Sequence, residues 1–287
     1  MILFRELKHE DYKDIVDISK GVWEDTDYLP GVFHSWIDED CIVLGGIDEA
    51  NGKVVSIMRF SILSDKSGWI DGLRVHKAYR GQGIGKITVY KVFQIGKSAL
   101  QDGRISRLGF ATVSNSLESI GIFKKLNFKV VDSQILTIKS NLALDEHIKL
   151  EDYKLEPWVI SYEDLLREPY LIKRKGILPL AFIFEEFTKE LYNSLLRYNS
   201  LIKINGHRGI FKYKGGPNFL AFEDDFQSID TFTNYYLLRY RSEVKEIYTP
   251  ILSENLELIK KLKEANFIAT DNWKPDYLYF LYKENDK

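Results

Sequence analysis

The apolar positions change period several times along the first half of the chain, and each change marks an element. ILFREL (2–7) is a short apolar run bounded by polar residues and predicts a strand. From Asp11 to Trp23 the spacing turns helical, through Ile15, Val16, Ile18, Val22 and Trp23. A polar-aromatic stretch, EDTDYLPGVF, then leads to a short helix around His34 to Glu39. CIVLGGI (41–47) and KVVSIMRFSIL (53–63) predict strands joined by an Asn-Gly hairpin turn, and WIDGLRVH (69–76) predicts another strand. The next apolar set, Ile84, Ile87, Val89, Val92, Phe93 and Ile95, belongs to a run too long for a strand and predicts a buried helix. ISRLGFATV (105–113) predicts a strand, SLESIGIFKKL (116–126) a helix, and NFKVVDSQILTIK (127–139) closing strands. The expectation is a mixed α/β fold, with an α+β mixed sheet, in which one strand feeds a glycine turn that opens a helix.

Residues 140–156 are polar and mixed, as in a linker, and the chain beyond them is again richly apolar. Without gaps, SLESIGIFKKLNF (116–128) and NLELIKKLKEANF (255–267) agree at six of thirteen places, including Asn127/Asn266 and Phe128/Phe267. Each segment lies between two expected strands. The match predicts a degenerate second copy of the first fold.

Composition narrows the class. A chain of 287 residues suits one large domain or two smaller ones. A net charge of −2 argues against a general nucleic-acid binder. Cys41, the single cysteine, cannot form an internal disulfide and lies in an apolar run, so it is expected to be a buried small side chain. No apolar run reaches spanning length and no secretion signal is evident, which predicts a cytoplasmic protein that engages no membrane. His9, His76, His147 and His207 show no metal-ligand spacing, so no metal is expected.

The candidate chemistry sits in VHKAYRGQGIGKIT (75–88), where Gly81, Gly83 and Gly85 stand between Arg80 and Lys86. A strand–glycine–helix junction presents backbone N–H groups at the positive end of a helix, and missing β-carbons let a phosphate approach them. A nucleotide P-loop fails here, because Arg80 occupies its first glycine and Ile87 follows the lysine. A dinucleotide fingerprint fits weakly, since the spacing is G-x-G-x-G after a late strand.

Arg80-Gly81-Gln82-Gly83-Ile84-Gly85, preceded by L-R-V-H, resembles the acyl-CoA-binding motif of the GNAT superfamily of N-acyltransferases. SLESIGIFKKLNF is similar to that family's N-x-x-A-x-x-x-Y-x-x-x-G-F helix. It departs from it at Ser116 (Asn115 stands one residue early), at Asn127 in place of glycine, and at Phe123 in place of the tyrosine that often protonates the leaving thiolate. The resemblance implies a catalytic GNAT domain over 1–140, a linker over 141–156 and a degenerate GNAT-like domain over 157–287 that binds no CoA. It further implies acetyl-CoA as co-substrate, held by Leu73, Val75, Arg80, Gly81, Gln82, Gly83, Ile84, Gly85, Lys86, Asn115 and Ser119.

Amide formation from a thioester needs a neutral amine and a stabilised oxyanion. The resemblance places Asp71 where the family commonly holds a glutamate base. The competing role for Asp71 is a turn cap or an ion pair with Arg74. Gly72 suits a bulge in the same strand. The acceptor pocket is expected along TDYLPGVFHSW, with Tyr28, Phe33 and Trp36 as walls, Asp25 and Asp27 for a cationic group, and Arg59 or Arg74 for a carboxylate. D-Y-L-P, F-H-S-W and D-G-L-R-V together look like the histidine N-acetyltransferase-like group, which implies the α-amine of a free amino acid as acceptor. Protein N-termini, polyamines and amino sugars are the alternative acceptors. A non-catalytic acyl-CoA-binding sensor is the alternative class.

Overall fold

In the computed structural model of the chain, residues 1–22, 27–180, 182–211 and 218–284 are described. Trp23 and Asp25 lie outside them. Contacts divide the chain into two units. The first comprises Met1–Phe110, Leu117–Lys129 and Phe280–Lys287, and the second comprises Ala111–Ser116 and Val130–Tyr279.

The first unit runs β1 (Ile2–Glu6), α1 (Tyr12–Ser19), α2 (Leu29–Asp38), β2 (Cys41–Asp48), β3 (Lys53–Ile62), β4 (Ser67–Val75), α3 (Ile84–Gln101), β5 (Arg107–Val113) and α4 (Leu117–Lys125). Strands β1 to β4 pair antiparallel in sequence order, and β4 pairs parallel with β5. The expected hairpin forms, but through a four-residue loop (49–52) in which Gly52 takes positive φ, +72°, and Asn51 does not, and the Gly52 N–H donates to the Asp48 carbonyl at 2.7 Å. Helix α2 begins five residues earlier than its sequence pattern indicates, because Pro30 at its start pre-sets helical φ. Helix α3 buries Ile84, Thr88, Val89, Val92, Phe93, Gly96 and Ala99 along one face. At Gly96 a β-carbon would come within 2.7 Å of Leu108, so only glycine lets the helix lie this close to β5.

The expected closing strands differ in one respect. NFKVVDSQILTIK forms a single long strand, β6 (Phe128–Ser140), and the first unit is completed by the end of β15 (Tyr277–Tyr282). Phe280, fully buried, stacks on Phe110 at 4.7 Å, and Tyr282 packs edge-on against Phe93 at 5.2 Å. The Lys283 N–H donates to the Asn127 carbonyl at 3.1 Å. Local pattern carries no sign of a strand supplied from 150 residues downstream.

The second unit continues with β7 (Leu155–Pro157), α5 (Tyr162–Leu165), α6 (Pro169–Lys173), the β8 (Ile177–Leu180) and β9 (Ile183–Glu186) hairpin, and α7 (Lys189–Arg197). It then runs β10 (Leu201–Ile204), β11 (His207–Phe211), β12 (Phe219–Ala221), α8 (Phe226–Arg239), β13 (Glu246–Ile251), α9 (Leu256–Glu264) and β14 (Ile268–Ala269). Its sheet β7-β10-β11-β12 is antiparallel, like β1-β2-β3-β4. Apart from the inserted β8–β9 hairpin and α7, the second unit runs strand, helices, three-strand meander, helix, strand, helix and strand, in the order of the first. The matched asparagines have a common geometry: Asn127 (φ +64°) and Asn266 (φ +62°) both end a helix in the left-handed region. Their N–H groups donate to Lys124 and Lys263, which are themselves matched positions. Among the described residues no helix is long and apolar enough to cross a membrane.

Candidate active site

The glycine segment forms the expected junction. Gly83 is the residue before α3, at φ +79°, ψ 0°, and Gly81 has φ +75°. Side chains rarely adopt such angles, which is why glycine stands at both. The first helical bond runs from the Ile87 N–H to the Gly83 carbonyl at 3.1 Å, so the amides of Ile84, Gly85 and Lys86 precede the helical ladder. A β-carbon at Gly81 or Gly83 would meet nothing within 4 Å, which marks open space over the turn. The first turn holds no acidic residue. Arg80 is anchored by its Nε to the Val75 carbonyl at 3.1 Å, and Gln82 by its side-chain amide to the Ala78 carbonyl at 3.3 Å. The result is a positive helix end with unobstructed donors.

Next to it, β4 carries the bulge that Gly72 suggests. Ile57 pairs with Arg74 and Arg59 with Asp71, so Gly72 and Leu73 together oppose Met58. Gly72 has φ +73°, and a β-carbon there would lie 2.7 Å from the Trp36 ring. The β4–β5 ladder covers only Ser67–Trp69 with Arg107–Gly109, which leaves the half of β4 holding Leu73 and Val75 beyond it. Ser119 lies on α4 in the same unit, whereas Asn115 falls in the 111–116 segment of the second.

Two bidentate ion pairs flank the bulge. Asp71 pairs with Arg59 rather than with Arg74: Arg59 Nε donates to Oδ1 at 2.8 Å and Nη2 to Oδ2 at 2.6 Å. The register explains this, because Arg59 and Asp71 are cross-strand partners. Burial pulls the Arg59 guanidinium down, but the Asp71 charge and hydrogen bonds outweigh it, and the net shift is upward. The guanidinium also stacks over Trp36 at 4.2 Å, and its Nη1 reaches Glu39 Oε2 at 3.3 Å. Arg74 pairs with Asp27 through Nε and Nη2, both at 2.9 Å, and donates from Nη1 to the Leu73 carbonyl.

These pairs revise the acceptor residues. Phe33 is fully buried in the core of the first unit, so it supports α2 from behind and forms no pocket wall. Trp36 is 5% exposed, wedged between Gly72 and Arg59, and Tyr28 meets it edge-on at 6.3 Å. Asp27, whose side chain is 1% exposed, is committed to Arg74 and holds no external cation. Tyr28 is half-exposed but crowded. Desolvation, then the Asp71 charge, push its phenol up to about 12, so it stays protonated at neutral pH. Cys41 is half-buried rather than buried, yet desolvation still pushes its thiol up to about 11, and it donates to the Trp36 carbonyl. Phe123 is buried against Phe110 at 3.9 Å and offers no proton. Glu39 had no sequence signal, since Asp38 and Asp40 beside it read identically.

A bulged strand whose ladder to its parallel neighbour stops early feeds a helix that starts from a glycine in the left-handed region. Residues 4–128 match the model of the acetyltransferase (GNAT) family. A histidine N-acetyltransferase from Xenopus tropicalis is 26% identical over 150 residues, covering 52% of this chain and 44% of that protein. One from Oreochromis niloticus is 22% identical over 156 residues, covering 53% of this chain and 44% of that protein. The match thus spans less than half the length of these curated relatives. Among solved structures, a protein from Pyrococcus horikoshii (14% identical, TM-score 0.60) covers 99% of this chain and 90% of its own. A GCN5-related N-acetyltransferase from Sphaerobacter thermophilus (12% identical, TM-score 0.58) covers 98% of this chain and 95% of its own. At such identities these structures speak for the fold alone.

Proposed function

We propose that the protein is an acetyl-CoA-dependent N-acetyltransferase whose acceptor is the α-amine of a free amino acid. The observation that carries this reading is the uncapped, glycine-lined start of α3, a ready seat for a pyrophosphate. The amides of Gln82 to Lys86, with Arg80, hold the diphosphate. The main chain at Leu73 and Val75 lies along the pantetheine and faces the thioester carbonyl. Histidine N-acetyltransferases among the relatives favour an amino acid as acceptor.

In the reaction the neutral amine attacks the thioester carbon, its proton passes to Asp71 through a water, and the C–S bond breaks to release CoA thiolate. The Asp71 side chain is 22% exposed, so water reaches it, while the Arg59 fork fixes its orientation. Thiolate takes its proton from water, because Phe123 has none to give. Acetyl-CoA consumption against a panel of free amino acids, histidine included, tests the reading, and a flat response would refute the amino-acid assignment. Asp71→Asn is expected to slow turnover about a hundredfold while acetyl-CoA still binds. Unchanged turnover removes Asp71 from the mechanism.

A further inference from the structure

Building on the amino-acid reading, we propose that Glu39 occupies, on Arg59, the place of the acceptor's carboxylate, so that an α-amino acid binds by displacing Glu39 from Nη1. The two arginines beside the bulge differ in what they can release. Arg74 spends Nε and Nη2 on Asp27 and Nη1 on the Leu73 carbonyl. Asp27 is 1% exposed in its side chain, so drawing Arg74 away would strand a buried carboxylate. Arg59 is held as firmly on one edge, by Asp71 through Nε and Nη2. On the other edge Nη1 has a single contact, 3.3 Å long, to a glutamate whose side chain is 56% exposed. A long, one-point contact to an exposed carboxylate is weak and easily traded.

Exchange also preserves what surrounds it. An incoming carboxylate replaces one negative charge with another on Nη1, and the buried guanidinium never loses its balance. Stacking on Trp36, itself wedged against Gly72, holds the fork in place while the partner changes. In an α-amino acid the amine and the carboxylate share one carbon. A carboxylate on Nη1 therefore brings the amine toward the Asp71 oxygens, which sit on the neighbouring Nη2 of the same guanidinium. An amine with no carboxylate has nothing to exchange and finds Glu39 still in place.

The test compares Glu39→Gln with the unaltered full chain, using the best amino-acid acceptor and the amide of that same amino acid. Exposure of Glu39 makes the isosteric change harmless to folding. The KM for the acid falls about two- to fivefold in the variant while that for the neutral amide does not, so the acid-to-amide ratio of kcat/KM rises. A ratio that stays level or falls, with turnover present, overturns the role of Glu39 alone. If acetyl-CoA binds but the unaltered protein acetylates no amine, the parent reading fails and takes this inference with it.

Discussion

Helices α3 and α8 each follow a three-strand antiparallel meander, and their N-termini are built in opposite ways. Before α3 stands Gly83, in the left-handed region, with no side chain over the first turn and no acid in it. Before α8 stands Asp225, extended, with its carboxylate accepting from the Ser228 N–H at 2.9 Å. Ser228 Oγ adds contacts to Glu223, Asp225 and His207, which pack more acid around the same helix end. A capped terminus stabilises its helix by about 1 kcal/mol, and the cap occupies the donor that a phosphate needs. The strands before them differ as well: β4 has nine residues and a bulge, while β12 has three. The residue before the helix and the strand that leads to it thus differ together between the two units, one helix end left open and the other closed by its own cap.

Transplanting the cap is the most severe way to break this contrast. Gly83→Asp would put the α8 carboxylate over α3 and is expected to weaken acetyl-CoA binding about a hundredfold or more, since like charges at close range cost several kcal/mol. Gly83→Asn, which tolerates the left-handed region, should lose much less and so separates charge from backbone geometry in calorimetric titrations. Gly72→Ala comes next. Its β-carbon at 2.7 Å from Trp36, at φ +73°, should cost about 1–3 kcal/mol, read as a lowered melting temperature. Asp225→Ala should have the smallest effect, about 1 kcal/mol of stability with no gain of acetyl-CoA binding. A second binding event in that variant would show that the cap alone had closed α8.

Much of this was legible because local chemistry decides it. The period changes located β1 through α4. The φ > 0 requirement made Gly81, Gly83 and the pair Asn127/Asn266 stand out, since few residue types adopt those angles. What escaped the sequence depends on contacts across the fold. Arg59 finds Asp71 through strand register, Arg74 finds Asp27 from 47 residues away, and Phe33 turns inward with the helix. The completion of the first unit by Phe280 and Tyr282 is the extreme case, as no neighbouring residue encodes it.

The most direct measurement is a calorimetric titration of acetyl-CoA into the unaltered chain. A single equivalent bound per chain, weakened about a hundredfold or more by Gly83→Asp and retained in Asp225→Ala, is the predicted result. Binding left undiminished by Gly83→Asp, or two equivalents per chain, would contradict the assignment of the carrier to the start of α3.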